Sequence, residues 1–299
     1  MSAAVSTVSA DATGAAFSRL APFLGRGVRV AAADAHGLLA LEKPAGVASH
    51  PNAGGRAPAG GVLLDAPYSR ENECYMLPAV PAGGGAGGRL FLLNRIDSPT
   101  SGLVLACADG ALAAAVKQLF REHAGAVRKT YLAVVRGVAE GRRGGEWRDR
   151  LAVGRGADGG VRTRVAAGGV PAVAEFEFLA VNRAVAVGAV SLLRLSPVTG
   201  RTHQLRVQCA SRRHAIAGDA TYGDFAFNRR FAKEVAGVVA GGGCAGAGGA
   251  GDRLDFRRMF LHAWRVEVRY SHGGRQCVFA AEAPPPAEFV ALFPAVLSR

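Results

Sequence analysis

The sequence predicts an α+β protein: a mixed, mostly antiparallel central sheet flanked by helices. Three observations carry that expectation. Short runs rich in β-branched and apolar residues recur along the chain. In one of them Tyr131, Ala133 and Val135 alternate with Leu132 and Val134, the period of two that a strand requires. A segment after Asp109 instead carries its apolar residues at helical spacing. With 299 residues and 49% hydrophobic content, the chain can bury a full core in one large lobe or two small ones.

The strand-like runs are Gly37 to Leu41, Leu103 to Ala106, Thr130 to Val135, Ala174 to Val181, Ala189 to Leu195 and Ala263 to Tyr270. Between the second and third, Asp109 can cap a helix from Gly110 to about His123. It places Leu112, Val116, Leu119 and Phe120 on one face, which should pack on the sheet. A second, short helix is expected from Thr202, whose hydroxyl can cap it; it would bury Leu205 and Cys209 and project Arg206 from another side. Gly-rich stretches at Ala53 to Gly61, Pro81 to Gly88, Gly137 to Gly145 and Gly241 to Gly251 are too poor in apolar surface to order themselves and read as surface loops. None is followed by Gly-Lys-Ser/Thr or leads from a strand into a helix, which disfavours a phosphate-binding loop.

The 36 basic and 23 acidic side chains give a formal charge of +13 and a pI near 10.4. That balance favours a polyanionic partner such as nucleic acid, although a bias toward Arg, Ala and Gly codons would raise the charge without any binding role. Cys74, Cys107, Cys209, Cys244 and Cys277 form no Cys-x-x-Cys pair, so neither a zinc site nor a disulfide framework is indicated. His50, His203, His214 and His262 likewise lack metal-ligand spacing, and no metal or other cofactor is expected. No apolar run approaches the roughly 20 residues needed to cross a bilayer, so no membrane association is expected. Met1 to Ala10 is rich in Ser and Ala, with no acid before Asp11 and with Arg19, Arg26 and Arg29 following. This suits an organellar transit peptide, and equally a disordered tail.

The segment Asn94-Arg95-Ile96-Asp97-Ser98-Pro99-Thr100-Ser101-Gly102 places one carboxylate in a polar turn directly before the apolar run Leu103-Val104-Leu105-Ala106. An Arg two residues earlier allows that carboxylate to stay ionised if partly buried. By spacing alone Asp97 reads as a turn-stabilising residue or as a nucleophile. Other segments narrow the choice: Thr199-Gly200-Arg201-Thr202-His203-Gln204-Leu205-Arg206 is followed by Ala217-Gly218-Asp219-Ala220-Thr221-Tyr222-Gly223, and Lys129-Thr130-Tyr131-Leu132-Ala133-Val134-Val135-Arg136-Gly137 lies between that block and Asp97. With Glu42-Lys43-Pro44-Ala45-Gly46-Val47 and Leu261-His262-Ala263, the order and spacing resemble the RluA-type family of RNA pseudouridine synthases, from about Leu39 to Ala283.

The resemblance implies the pseudouridine synthase fold with a central RNA-binding cleft, a catalytic domain over 39–299 with Gly-rich loop insertions, and an N-terminal extension over 1–38. It implies that Asp97 acts at the anomeric carbon, that Arg206 pairs with it, and that Tyr131 stacks on the target uracil. From spacing alone Tyr131 could be a core residue on a strand, and Arg206 a surface residue on a helix. Arg95 is a candidate to fill the space of an extruded base or to hold a phosphate. Asn94, Arg201, His203 and Gln204 are candidates to shape the site or bind RNA, and Lys43 and Lys129 are further phosphate candidates. Arg162, Arg164, Arg212, Arg213, Arg229 and Arg230 add charge.

Two positions depart from the family pattern. Asn94 stands where members commonly carry His, and Ala215 where they usually carry Pro. The leading expectation is a uridine isomerase acting on structured RNA, ribosomal ahead of transfer RNA, in a mitochondrial or else cytoplasmic or nuclear setting. The alternative is an RNA-binding assembly factor for a ribosomal subunit with little turnover. A glycosidase using Asp97 lacks a second carboxylate in a comparable motif.

Overall fold

The computed structural model describes residues 5–51, 59–79, 87–122, 125–139, 143–156, 159–241 and 258–298. Cys244 and much of the four Gly-rich stretches lie outside the described residues. In chain order the elements are β1 (Val5–Ser6), α1 (Ala10–Leu20), β2 (Arg29–Ala33), β3 (Leu38–Lys43), β4 (Tyr68–Ser69), β5 (Cys74–Leu77), β6 (Gly88–Leu92), β7 (Ser101–Cys107), α2 (Gly110–Glu122) and β8 (Val127–Arg136). There follow β9 (Gly144–Arg155), β10 (Val161–Val165), β11 (Val170–Asn182), β12 (Val190–Pro197), α3 (Gln204–Ser211), α4 (Phe225–Gly241), β13 (Leu261–His272), β14 (Arg275–Glu282), α5 (Ala287–Leu292) and α6 (Pro294–Leu297). They form two compact units, Met1–Lys129 with Ala263–Ala283, and Thr130–His262 with Pro284–Arg299.

In the first unit β7 is buried along its whole length, as a continuous apolar run demands. It pairs antiparallel with β3 from Leu38↔Cys107 to Lys43↔Gly102, β2 pairs with β3, and β6, β5 and β4 follow in turn. β13 and β14 form a hairpin, on which β1 lies parallel to β14. α2 covers this sheet as its periodicity predicts. Asp109 caps it, Oδ1 accepting from the Leu112 amide at 2.7 Å, and Leu112, Ala113 and Val116 pack with Leu103, Leu105, Val268 and Phe279. Each large apolar side chain so buried contributes about 1.5–3 kcal/mol. Within the segment 1–38, Ser9 caps α1 by accepting from the Ala12 amide at 3.1 Å.

The second unit is an antiparallel sheet in the order β10-β9-β11-β12-β8. Phe231, Phe260 and Phe289 form its aromatic core, with ring centroids 5.4 Å and 5.3 Å apart along the chain of contacts. The expected α+β class with antiparallel pairing therefore holds. Three local expectations are corrected. The run expected at Ala174 begins at Val170, and it pairs with a β9–β10 hairpin that the sequence reading did not contain. α4, capped by Asp224 through the Phe227 amide at 2.9 Å, was not anticipated either. α3 starts at Gln204, after His203 in the left-handed region (φ 54°), so the Thr202 hydroxyl does not cap it.

Candidate active site

Asp97 sits in the turn between β6 and β7, half-buried. The turn closes through main-chain groups: the Thr100 amide donates to the Asp97 carbonyl at 3.0 Å, and the Gly46 amide donates to the Ser98 carbonyl at 2.8 Å. Ile96 is buried beneath it, and Ser49 spans the same backbone twice. The Ile96 amide donates to Ser49 Oγ at 3.2 Å, and that hydroxyl donates to the Ile96 carbonyl at 3.0 Å. Two residues past the buried Thr100, Gly102 has φ +105°, and a Cβ there would stand 2.2 Å from the Ala263 carbonyl oxygen. Only glycine meets both conditions.

Lys43 is placed differently from its expected role. It is fully buried, and Nζ donates to the carbonyls of Val47 and Thr100 at 2.6 Å and of Pro44 and Ser98 at 3.1 Å. The ammonium ties the 44–47 segment to the Asp97 turn and is not presented to an RNA phosphate. Asn94 is likewise engaged in the scaffold: its Oδ1 accepts from the Leu105 amide at 2.7 Å, holding the start of the turn against β7.

Arg95 points outward, its side chain 55% exposed, with Nη1 3.9 Å from Glu73 and 3.3 Å from His50 Nε2. His50 Nδ1 lies 2.8 Å from the Pro51 carbonyl. The His50 ring stacks on Tyr68, with centroids 5.1 Å apart. The Lys117 hydrogen bond, aided by the Lys117 and Arg95 charges, holds the Glu73 carboxyl below its usual range against a smaller opposing effect of burial.

Lys129 ends the first unit with its ammonium 5.5 Å from the Phe120 ring centre. Burial pulls its pKa down to about 8.

In the second unit Tyr131 is half-buried on β8, paired with Leu195 of β12. Arg206, expected to project from α3, is in fact buried, because α3 is covered on all sides from Gln204 to Cys209. Its guanidinium makes a two-pronged ion pair with Asp219, Nε to Oδ2 and Nη2 to Oδ1, both at 2.8 Å, and lies 5.1 Å from the Tyr222 ring centre. Asp219 Oδ1 also accepts from the amides of Thr221 and Tyr222. Burial alone would raise the Asp219 pKa; the Arg206 guanidinium and these amides outweigh it and hold the carboxyl below its usual value. Such a carboxylate is no general acid at neutral pH.

Around Arg206 the motif residues form a scaffold. The Gln204 side chain is buried, accepting from Thr199 Oγ1 at 2.7 Å and from the Arg201 amide at 3.0 Å while donating to the Val173 carbonyl at 2.9 Å. Those bonds engage the Gln204 carboxamide in the scaffold that the sequence reading named as one of its two options. His203 Nδ1 is 2.8 Å from the Tyr222 hydroxyl, which also accepts from the Thr163 amide. Arg201 Nε donates to the Pro171 carbonyl at 3.0 Å.

Asp97, Arg95, Asn94 and Lys43 thus belong to one loop system of the first unit, and Arg201, His203, Gln204 and Arg206 to one corner of the second. Sequence reasoning gave no role to Asp219, Tyr222 or Ser49, although Asp219 and Tyr222 lay inside a motif it had singled out. Among the described residues no cluster of three or more His, Cys, Asp or Glu could hold a metal ion, and no helix is long and apolar enough to cross a membrane.

Residues 37–211 match the family described as RNA pseudouridylate synthase. The chain is 31% identical over 251 residues to the RNA pseudouridine synthase YhcT of Bacillus subtilis, covering 84% of this chain and 67% of that protein. It is 30% identical to the ribosomal large subunit pseudouridine synthase D of Nitrosomonas europaea, covering 87% of this chain and 62% of the relative, a little under two thirds of its length. It is 32% identical to the tRNA pseudouridine synthase C of Yersinia pestis, covering 67% of this chain and 71% of the relative. The fold is similar to that of human RNA pseudouridylate synthase domain containing 4, with a TM-score of 0.57 at 19% identity, covering 95% of this chain and 96% of that one. On its sequence match and its fold, this chain belongs to the family of RNA pseudouridylate synthases.

Proposed function

We propose that the chain isomerises specific uridines of a structured RNA, ribosomal RNA ahead of transfer RNA, with Asp97 as the nucleophile. The relatives bear names of both kinds, ribosomal large subunit and tRNA pseudouridine synthases. The reaction breaks the bond from ribose C1′ to uracil N1, turns the base and joins C1′ to C5; the C5 proton is lost and N1 gains one, so no co-reactant enters. Asp97 is proposed to take C1′ as an ester while uracil departs and to release it when C5 attacks. Tyr131 is proposed to stack on the turning base and to help remove the C5 proton. Arg206, whose guanidinium is held by Asp219, is the basic residue to which the family resemblance gives the role of supporting an ionised Asp97. Arg95, outward on the same turn as Asp97, is proposed to occupy the space the base leaves or to hold a flanking phosphate.

The observation that carries this reading is the anchoring of the Asp97 turn by main-chain bonds, Ser49 and the buried Lys43 ammonium. Those bonds fix the backbone that carries Asp97, and a nucleophile needs such a rigid support. The test is incubation with ribosomal and transfer RNA transcripts and mapping of pseudouridine, beside Asp97→Ala. Conversion by the native chain and none by the variant is expected. Binding by both with conversion by neither would overturn the enzymatic reading in favour of an assembly factor for a ribosomal subunit, the role that the +13 charge alone would support.

A further inference from the structure

The β9–β10 hairpin of the second unit separates its side chains into two faces. In register, Arg162 lies opposite Gly154 and Arg164 opposite Ala152, while Arg150 and Arg148 lie opposite Pro171 and Val173 of β11. Because side chains alternate along a strand, Arg148, Arg150, Arg162 and Arg164 all fall on one face. On the other face Leu151 and Ala172 pack with Val207 of α3 and with Tyr222. Asp149, between Arg148 and Arg150, turns to that same side, accepting from Gln208 at 2.8 Å and pairing with Arg212 at 3.0 Å. Packing therefore directs the four arginines away from α3 and removes Asp149 from their face.

Arg148, Arg150 and Arg164 are exposed and Arg162 partly so. Arg148 pairs with Glu146, and Arg150 Nε donates to the Ala167 carbonyl at 2.9 Å, which orients the guanidinium without neutralising it. Arg201, bonded to the Pro171 carbonyl, brings a fifth guanidinium beside Arg150's strand partner. Between the arginines stand Ala152 and Gly154, so the face is low and basic. Neighbouring arginines on one strand are about 7 Å apart.

We propose that this face is a separate RNA-contacting surface that grips the sugar-phosphate backbone of a helical segment flanking the target uridine. The proposal rests on the uridine-isomerase reading for the identity of its polyanion. A protein partner would need an apolar core to its interface, and the residues between these arginines are Ala152 and Gly154. Phosphates need what the face has, repeated guanidinium donors with room for a backbone to approach.

The test is the affinity for a tRNA transcript and a ribosomal RNA helix fragment as KCl is varied. The chains compared are the native one, a quadruple Arg→Gln variant at 148, 150, 162 and 164, the matching quadruple Arg→Lys variant, and a control with Arg265→Gln and Arg269→Gln. The control removes exposed charges of β13 that pair with Glu282 and Glu267. Each lost phosphate contact should lower the salt slope by about 0.7–0.9, so the quadruple glutamine variant should lose about three and bind at least roughly tenfold more weakly at moderate salt. The lysine variant should recover most of the slope, and the control should keep the native one. A quadruple glutamine variant with the control's slope overturns the surface and leaves the face to an acidic protein. Pseudouridine formation by the native chain on the same transcripts is scored separately, so the surface can fail while the isomerase reading stands, or the reverse. Should the glutamine variant not fold, phenylglyoxal modification of the native chain decides: RNA is expected to shield Arg150 and Arg164, and equal reactivity with and without RNA overturns the proposal.

Discussion

An ammonium surrounded by four carbonyls has no donor to spare for a phosphate, and Lys43 is so placed. Replacing it with Met would take its donors from those carbonyls and leave the 44–47 segment tied to the Asp97 turn by the Gly46–Ser98 bonds alone. Lys43→Met should lower unfolding stability by about 3 kcal/mol, read as a lower urea midpoint, and should depress turnover in the fraction that remains folded. Asp219 makes a pH prediction. Its folded-state pKa is lowered from 3.8, so its contribution is fully present above that value and is lost as pH falls through the depressed folded value. Asp219→Asn should be less stable at neutral pH, and its acid-unfolding curve should be flatter than the native one below about pH 4. At this scale the sequence disclosed residue types better than tasks. Asp97 and Gly102 were legible because a turn before an apolar run restricts what can stand there. The tasks of Lys43, Asn94 and Gln204 depend on which distant carbonyl or amide each meets, and spacing along the chain does not encode that.

The elements differ in how plainly the sequence announces them. α2 combines a capping Asp with a clean apolar face, and Asp109→Ala should cost about 1 kcal/mol by thermal or urea unfolding. α4 had its own capping residue, Asp224, but its Phe-rich start and following Gly-rich tract hide the period. The β9–β10 hairpin escaped notice because alternating Arg and Val does not look like a buried strand, yet on an edge strand that alternation keeps one face wet and discourages pairing with other chains. β8 carries a titration that its strand-like pattern did not foretell. Lys129 has a folded-state pKa near 8 against 10.5 for a free lysine, so between those values the unfolded chain binds more protons and stability should rise with pH. Lys129→Met should remove that rise, measured by urea unfolding at pH 7.5, 9 and 10.

For the whole molecule, the charge of +13 and the four described cysteines give opposite chemical outlooks. RNA affinity should fall steeply with added salt. The thiols should be quiet: Cys74, Cys107, Cys209 and Cys277 are all buried, and burial pushes Cys107 up to about 11 and Cys209 up to about 12. Native protein should therefore take up an alkylating reagent at Cys107 and Cys209 far more slowly than urea-unfolded protein, as intact mass would report. Each unit is also assembled from two separate stretches of chain, and the first draws Val266, Val268, Tyr270 and Phe279 into its core from the late stretch. On the ribosome, the N-terminal half must consequently wait, its sheet unfinished, until β13 and β14 have emerged. The whole of the Thr130–His262 stretch is made in the meantime. A nascent chain arrested before residue 263 should leave β7 and α2 open to protease, and no single cut between the units would release either one intact.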